Sequence, residues 1–289
     1  MRIKVTHANT FLRPYSNAED SFSFDLGDPN HAYLFGFLQA DGHLYQNTRN
    51  RGKVTIEVSA KDIGLLQQFS QIIPFYSSIT TRTRHTNFSK EHVSACWSVY
   101  DQRFRQNLLN LGFPAGKKSD VAAVPNVEVS KADYFRGLID ADGSLGMTAN
   151  GFPFLALVTA SESLASAFAA FILEVTGKRK HVARNTRDRI YNITVFKEDA
   201  QLLASRLYYD GCLGLSRKIE KAKDVIRWQR PANMRRVFRR KSWSLSEDQF
   251  ILSHNLTESI AALSRTERSI KMRLWRLSRG SADQNLCRI

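Results

Sequence analysis

One ten-residue pattern recurs in this chain. Tyr33-Leu34-Phe35-Gly36-Phe37-Leu38-Gln39-Ala40-Asp41-Gly42 returns as Tyr134-Phe135-Arg136-Gly137-Leu138-Ile139-Asp140-Ala141-Asp142-Gly143, 101 residues later. Downstream the match continues more weakly at an offset of 100, pairing Val58-Ser59-Ala60 with Val158-Thr159-Ala160 and Lys118 with Lys218. A segment present twice folds twice in the same way. Two copies are too few for a solenoid, so the expected geometry is a pseudo-twofold dimer on a single chain.

Each copy carries the same local pattern. Asp28-Pro29 and Ser130 are helix-start signals, and each following apolar stretch stops at the glycine of Ala-Asp-Gly. A hairpin follows, over 43–48 and 53–59 in the first copy and over 144–148 and 154–159 in the second. Turn residues lie between the strands, Asn50-Arg51-Gly52 and Asn150-Gly151. Then come a helix (63–73; 164–176), a second strand pair (79–84 with 93–100; 180–185 with 189–196) and a closing helix (103–111; 200–208). The order αββαββα predicts an α+β fold with four strands per repeat, the two sheets forming a saddle. The predicted divisions are an arm over 1–27, a first repeat over 28–126, a second over 127–228, a basic linker over 229–242 and a helical module over 243–289. In the arm, Phe11, Tyr15, Phe22 and Phe24 suggest packing on the first repeat, and Arg2, Lys4 and Arg13 are available for polyanion contact.

Charge narrows the partner. Lys and Arg number 42 against 27 Asp and Glu, a net of +15 over 289 residues, which points to nucleic acid before an anionic membrane. Residues 227–289 alone carry a net of +9, densest at Arg235-Arg236-Val237-Phe238-Arg239-Arg240-Lys241 after the break at Pro231-Ala232-Asn233. The predicted strands carry Arg49, Arg51, Lys53, Arg82, Arg84, Lys180, Arg184, Arg187 and Arg189. Such side chains suit a β-ribbon reading the major groove of duplex DNA. No apolar run reaches the length of a membrane span, and the first residues lack a signal-peptide core. The three cysteines, Cys96, Cys212 and Cys287, are too few and too far apart for a disulfide framework or a thiolate zinc site. A soluble protein of an intracellular, reducing compartment is expected, with no membrane partner.

The repeated Ala-Asp-Gly carries the chemistry. A carboxylate at a helix C-terminus faces the negative end of the macrodipole, at a cost of roughly 0.3–1 kcal/mol. Small residues at Gly36, Ala40, Gly137 and Ala141 let two helices approach closely and bring Asp41 and Asp142 together. Two carboxylates at short range repel unless protonated or bridged by a hard divalent ion. Mg²⁺ held by one or two carboxylates plus phosphate oxygens is the arrangement that phosphodiester chemistry uses.

Leu34–Gly42 and Phe135–Gly143 resemble the two motifs of single-chain LAGLIDADG homing endonucleases, and the resemblance covers about residues 28–226. It implies a metal-dependent, site-specific double-strand DNA endonuclease, monomeric, making a staggered cut across the minor groove of a long asymmetric site. It implies that Asp41 and Asp142 bind the metal, with the backbone carbonyls of Ala40 and Ala141 joining them. The implied cofactor is Mg²⁺, with Mn²⁺ substituting and Ca²⁺ supporting binding without efficient cleavage. A late lysine in each repeat often lies near the cleavage site in this family. Lys218 matches that position in the second repeat, and Lys118 or Lys117 in the first. Such a lysine stabilises developing charge, tunes the attacking water, or only contacts phosphate. The first motif has Gln39 where the second has Asp140, a position that is not the metal acid.

Residues 243–279 read as three helices and resemble Myb-like or resolvase-type helix-turn-helix domains. Ser246 is a candidate cap, Ser264-Arg265-Thr266 a turn, and the last helix sets Ile270, Leu274 and Leu277 opposite Arg268, Met272 and Arg279. Lys271 on this helix is a further DNA contact candidate, whereas Trp275 falls on the polar side. Two other functions remain open on this fold. One is a non-cleaving DNA-binding regulator, against which the two acids argue. The other is an RNA-splicing maturase, with intron RNA as partner.

Overall fold

The computed structural model describes residues 5–7, 22–47, 51–86, 89–232, 234 and 243–278. The chain separates into two compact units, Met1–Arg230 and Pro231–Ile289.

The first unit is built around two helices, α1 (Pro29–Asp41) and α4 (Lys131–Asp142), that pack against each other. Helix α1 starts at Asp28, whose carboxylate accepts the amides of Asn30 and His31 at 2.9 and 3.0 Å. Pro29 takes a first-turn position where no amide hydrogen is needed. The helix is apolar on every side and buried from Ala32 through Gln39, as suits an element enclosed by others. Gly36 and Gly137 set the approach. A Cβ on Gly36 would stand 2.2 Å from the Tyr134 carbonyl oxygen, and one on Gly137 would stand 2.2 Å from that of Tyr33. The helix backbones therefore touch where only hydrogen fits.

Around this pair lie two antiparallel sheets. Strands β1 (Val5–His7), β2 (Gly42–Gln46), β3 (Gly52–Ser59), β4 (Ser77–Thr86) and β5 (Ser89–Val99) form the first, in the order β1-β4-β5-β3-β2. Strands β6 (Gly143–Met147), β7 (Pro153–Thr159) and β8 (Tyr191–Phe196) form the second, in that order. Alternation places Val54 and Ile56 of β3 with Trp97 and Val99 of β5 in the core, and Leu155 and Leu157 of β7 likewise. Helices α2 (Ile63–Ile72) and α3 (Gln102–Asn110) belong to the first repeat, α5 (Glu162–Thr176), α6 (Glu198–Leu207) and α7 (Ser216–Arg227) to the second.

The α+β class, both hairpins and the helix order follow the sequence expectation, and several details do not. Among the described residues the second repeat has three strands, not four. The predicted strand over 180–185 is an irregular segment with one isolated bridge, Arg184 to Tyr191. Between 178 and 190 most side chains are polar and exposed and only Val182 packs against the core, so nothing repays a second pleated edge. Lys180, Arg184, Arg187 and Arg189 therefore do not stand on a β-ribbon. The first sheet gains a fifth strand instead, since β1 adds beside β4. Helix α7 was not anticipated. Ser130 occupies the N-cap of α4, but its hydroxyl donates to Asp133 Oδ2 at 2.5 Å rather than capping backbone amides. Gly42 and Gly143 end their helices in extended, not left-handed, conformation. They are required because a Cβ would meet the Leu38 carbonyl oxygen at 2.6 Å or the Ala156 carbonyl oxygen at 2.7 Å.

In the second unit, α8 (Leu245–Ser253), α9 (Leu256–Leu263) and α10 (Glu267–Ser278) are short. The cap of α8 is Ser244, not Ser246, because Glu247 three residues on reaches back to the Ser244 amide and closes a capping box. Asn255 and Glu258 do the same for α9. Ile251 and Ile270 are buried, and two ion pairs, Arg265–Glu247 at 2.8 Å and Arg273–Asp248 at 2.5 Å, tie the helices. Arg265 also lies 4.0 Å over the Trp243 ring. No helix among the described residues is long and apolar enough to cross a membrane.

Candidate metal and nucleic-acid site

Helices α1 and α4 end at Asp41 and Asp142, as the repeat demands. Both residues reach solvent, yet the protein packed around their carboxyls desolvates them and raises both above the ordinary aspartate range. The Asp142 charge raises Asp41 further, while Lys118 and Lys218 pull both acids down. Two acids and two lysines thus share one electrostatic neighbourhood, which is the juxtaposition that glycine-tight helix packing was expected to produce.

The lysines hold the helix ends. Lys118 Nζ donates to the carbonyls of Leu38, Gln39 and Ala40 at 2.8, 2.8 and 2.5 Å. Lys218 Nζ donates to those of Ile139, Asp140 and Gly143 at 2.5, 2.7 and 2.9 Å. An ammonium has three donors, and all three are taken in each case. The carbonyls of Gln39, Ala40 and Asp140 are ones that a helix C-terminus leaves without intrahelical partners, those of Leu38 and Ile139 accept the Gly42 and Gly143 amides as well, and that of Gly143 opens β6. A cation there also meets the favourable end of the helix dipole. This choice separates Lys118 from Lys117, which is exposed. Lys118 and Lys218 are only 8% and 5% exposed. Desolvation lowers both ammonium groups to about 8, against the pull of the nearby aspartates.

The difference between Gln39 and Asp140 has a structural cause. Asp140 accepts three donors, the Tyr33 hydroxyl at 2.7 Å, the Tyr208 hydroxyl at 2.7 Å and the Leu215 amide at 2.8 Å. A carboxylate, which only accepts, fits that set. Gln39 accepts from the Tyr134 hydroxyl but donates through Nε2 to the Ala123 carbonyl at 2.9 Å, so an amide is needed there. Gln39→Glu is therefore expected to set oxygen against oxygen in a buried position and to cost about 3 kcal/mol. Chemical denaturation would measure it, and a variant as stable as the parent would remove this account. The sequence reading missed both tyrosines as site residues. The signal was available, since Tyr33 and Tyr134 are equivalent in the repeat and each bonds across to the other helix. It also missed Arg136, fully buried in α4, which pairs with Asp133 at 2.6 Å and donates to the Leu207 and Leu213 carbonyls.

Ala40 and Ala141 are half-buried beside the acids. The Ala40 carbonyl already accepts from Lys118 and keeps one lone pair, whereas the Ala141 carbonyl is not among the acceptors of Lys218. A cavity of about 60 Å³ beside Asp142, lined in part by Gln39, Ala40, Thr159 and Ala160, has room for water. Among the described residues no three His, Cys, Asp or Glu side chains cluster as a dedicated metal cage.

The candidate nucleic-acid contacts are scattered. Arg51 and Lys53 lie at the β2–β3 hairpin and Arg82 on β4, while Arg84 is on β4 with its side chain outside the described residues. Lys180, Arg184, Arg187 and Arg189 lie in the irregular segment before β8, where Arg187 pairs with Asp188 at 3.1 Å. Arg268 and Lys271 are exposed on α10, Lys271 paired with Glu267 at 2.5 Å. Arg49, Arg235, Arg236, Arg239, Arg240, Lys241 and Arg279 lie outside the described residues.

The fold resembles solved LAGLIDADG homing endonucleases. A variant of the homing endonuclease I-DmoI is 12% identical and aligns over 69% of this chain and 99% of its own, with a TM-score of 0.46. The LAGLIDADG homing endonuclease I-GzeII, solved in complex with its DNA target, is 13% identical over 69% of this chain and 88% of its own, with a TM-score of 0.44. The meganuclease I-SmaMI, bound to uncleaved DNA in the presence of calcium ions, is 12% identical over 62% and 81%, with a TM-score of 0.38. No protein-family model and no curated protein sequence matches the chain.

Proposed function

We propose that this protein is a site-specific double-strand DNA endonuclease of the LAGLIDADG homing type, dependent on a divalent metal ion. The observation that carries the reading is the pair of acids at the ends of two glycine-packed helices, each end clamped by a buried lysine. A pure binding protein has no use for two anions at the unfavourable end of two helix dipoles.

The donors present fit a hard ion. Asp41 and Asp142 supply carboxylate oxygens, Ala40 and Ala141 carbonyl oxygens, and the lack of further acids among the described residues suits an ion that completes its shell with water and phosphate. When bound, such an ion supplies Lewis acidity toward the phosphate and a more acidic water. The chain's own residues do the rest. Asp41 and Asp142 fix the site on two rigid helices, and Lys118 and Lys218 act as positioning residues that hold the carbonyls and hence the acids in place. The space beside Asp142 admits water, so a solvent network can take the proton. The basic hairpins of the first unit and the helices of the second, read as a helix-turn-helix, provide contacts to duplex DNA. A monomer in an intracellular, reducing compartment suits the single-chain repeat and the free thiols of Cys96 and Cys212.

The test is cleavage of DNA carrying the sequence that flanks this gene, joined as it would be without the gene, in Mg²⁺ and in Ca²⁺. Staggered double-strand cutting in Mg²⁺ with binding but little cutting in Ca²⁺ is expected. Tight binding without cutting in either metal points to a regulator, and assisted splicing of a host intron without DNA cutting points to a maturase.

A further inference from the structure

A second, larger cleft of about 490 Å³ lies beside this site, and neither Asp41 nor Asp142 lines it. It shares Ser119 and Ala160 with the small cavity next to Asp142, so the two spaces adjoin. Three cations from separated parts of the chain reach it: Lys117, Arg184 and Arg189. Arg184 is preset, since its Nε donates to the Arg189 carbonyl at 2.7 Å and its guanidinium lies 5.8 Å from the centre of the Tyr191 ring. The cleft is also lined by two acids, Asp120 and Glu162, and burial, then the Glu162 charge, raise the Tyr191 hydroxyl above its ordinary range. Arg189 has a φ of 54°, in the left-handed region that strains a residue with a side chain. The Lys117 and Arg189 side chains make no hydrogen bond or ion pair with any described residue.

We propose that this cleft is a phosphate-binding subsite, in which Lys117, Arg184 and Arg189 hold a backbone phosphate of the DNA strand that passes Asp142. The inference rests on the nuclease reading and reassigns Arg184 and Arg189 from base reading to strand clamping. A base-reading arginine extends from a regular element into a groove. Here a guanidinium fixed by a backbone bond and a ring, a second guanidinium on a strained backbone and an ammonium line one concave space. That arrangement matches the several acceptor oxygens of a phosphate.

The experiment measures affinity for a random-sequence duplex against salt, without divalent metal. Base readout contributes little to such a duplex, whereas each lost phosphate contact lowers the slope of log K against log salt by about 0.9. Arg189→Gly is the informative variant, because glycine relieves the left-handed backbone and the fold should gain stability while the charge is lost. It should lower the slope by about 0.9, and with Lys117→Gln added by about 1.8. Lys223→Gln on α7, an exposed lysine paired with Glu220 at 2.8 Å and absent from the cleft lining, should leave the slope unchanged. Inorganic phosphate, at matched ionic strength, should compete better with duplex for the parent than for the double variant. If the parent binds duplex and Arg189→Gly keeps its slope, or Lys223→Gln loses as much, the subsite is wrong and the nuclease reading stands. If the parent binds no duplex, both fall.

Discussion

Asp41→Asn and Asp142→Asn should each slow single-turnover cleavage at least about a hundredfold, the scale seen when one preorganised electrostatic group is removed from a site. Duplex affinity should hold. Asparagine keeps the shape of the side chain and removes only its charge, so a loss caused by misfolding would show separately. The fold itself should not suffer. Burial and, for Asp41, the neighbouring Asp142 charge hold both acids above their ordinary range. A carboxyl whose folded pKa is raised is penalised when ionised, so at neutral pH the native state carries that penalty and is relieved of it as pH falls toward the folded pKa. The asparagine variants should therefore melt no lower than the parent at neutral pH. Strand-resolved gels on a nicking substrate would measure the rates, and parental-rate cutting of both strands by either variant would remove the acid from the site.

The second large effect is structural. Gly137→Ala places a methyl group 2.2 Å from the Tyr33 carbonyl oxygen and 2.7 Å from the Phe37 amide nitrogen, both backbone atoms that no rotamer change can move aside. Overpacking of this kind costs about 3 kcal/mol or more, equivalent in a unit of this size to a fall in Tm of roughly 6–12 °C. Gly137→Val should not give a soluble, cooperatively folded protein. Gly64 in α2 is the control, since a Cβ there meets nothing within 4 Å, and Gly64→Ala should raise Tm slightly. Calorimetry on the three variants decides it, and an unchanged melting temperature for Gly137→Ala would mean that the helices are not in backbone contact.

The repeat made the centre of this molecule legible from sequence. Identical residues 101 positions apart fixed which glycines face each other and which acids end the helices, because a duplicated pattern is a constraint of geometry as well as composition. The hairpins were readable from alternation and turn residues. What escaped was set by partners remote in sequence. Nothing local distinguishes Lys118 from Lys117, and only the three carbonyls of α1 do so. The change from Gln39 to Asp140 has no meaning until Ala123 and Tyr208 come into contact with it. The missing strand before β8 was misread from charged residues that suit a ribbon but bury too little to form one.

The polar bonds across the central helices also bear on how the halves are joined. Tyr33 serves Asp140 and Tyr134 serves Gln39, so each half offers its neighbour the same phenol that it receives. Both glycines likewise offer a bare backbone to a carbonyl at the same relative position. The glycines and phenols of the seam are thus self-complementary in kind, whereas Ser161 donating to the Ala122 carbonyl at 2.5 Å and Arg217 paired with Asp62 at 3.1 Å join one repeat to the other in particular. The mixed pairing rests on these contacts together with the covalent connection through residues 111–130. Cut free, either half would keep the glycine and the phenol with which the central helices meet, and would lose the Ser161 and Arg217 contacts that belong to the mixed pair alone.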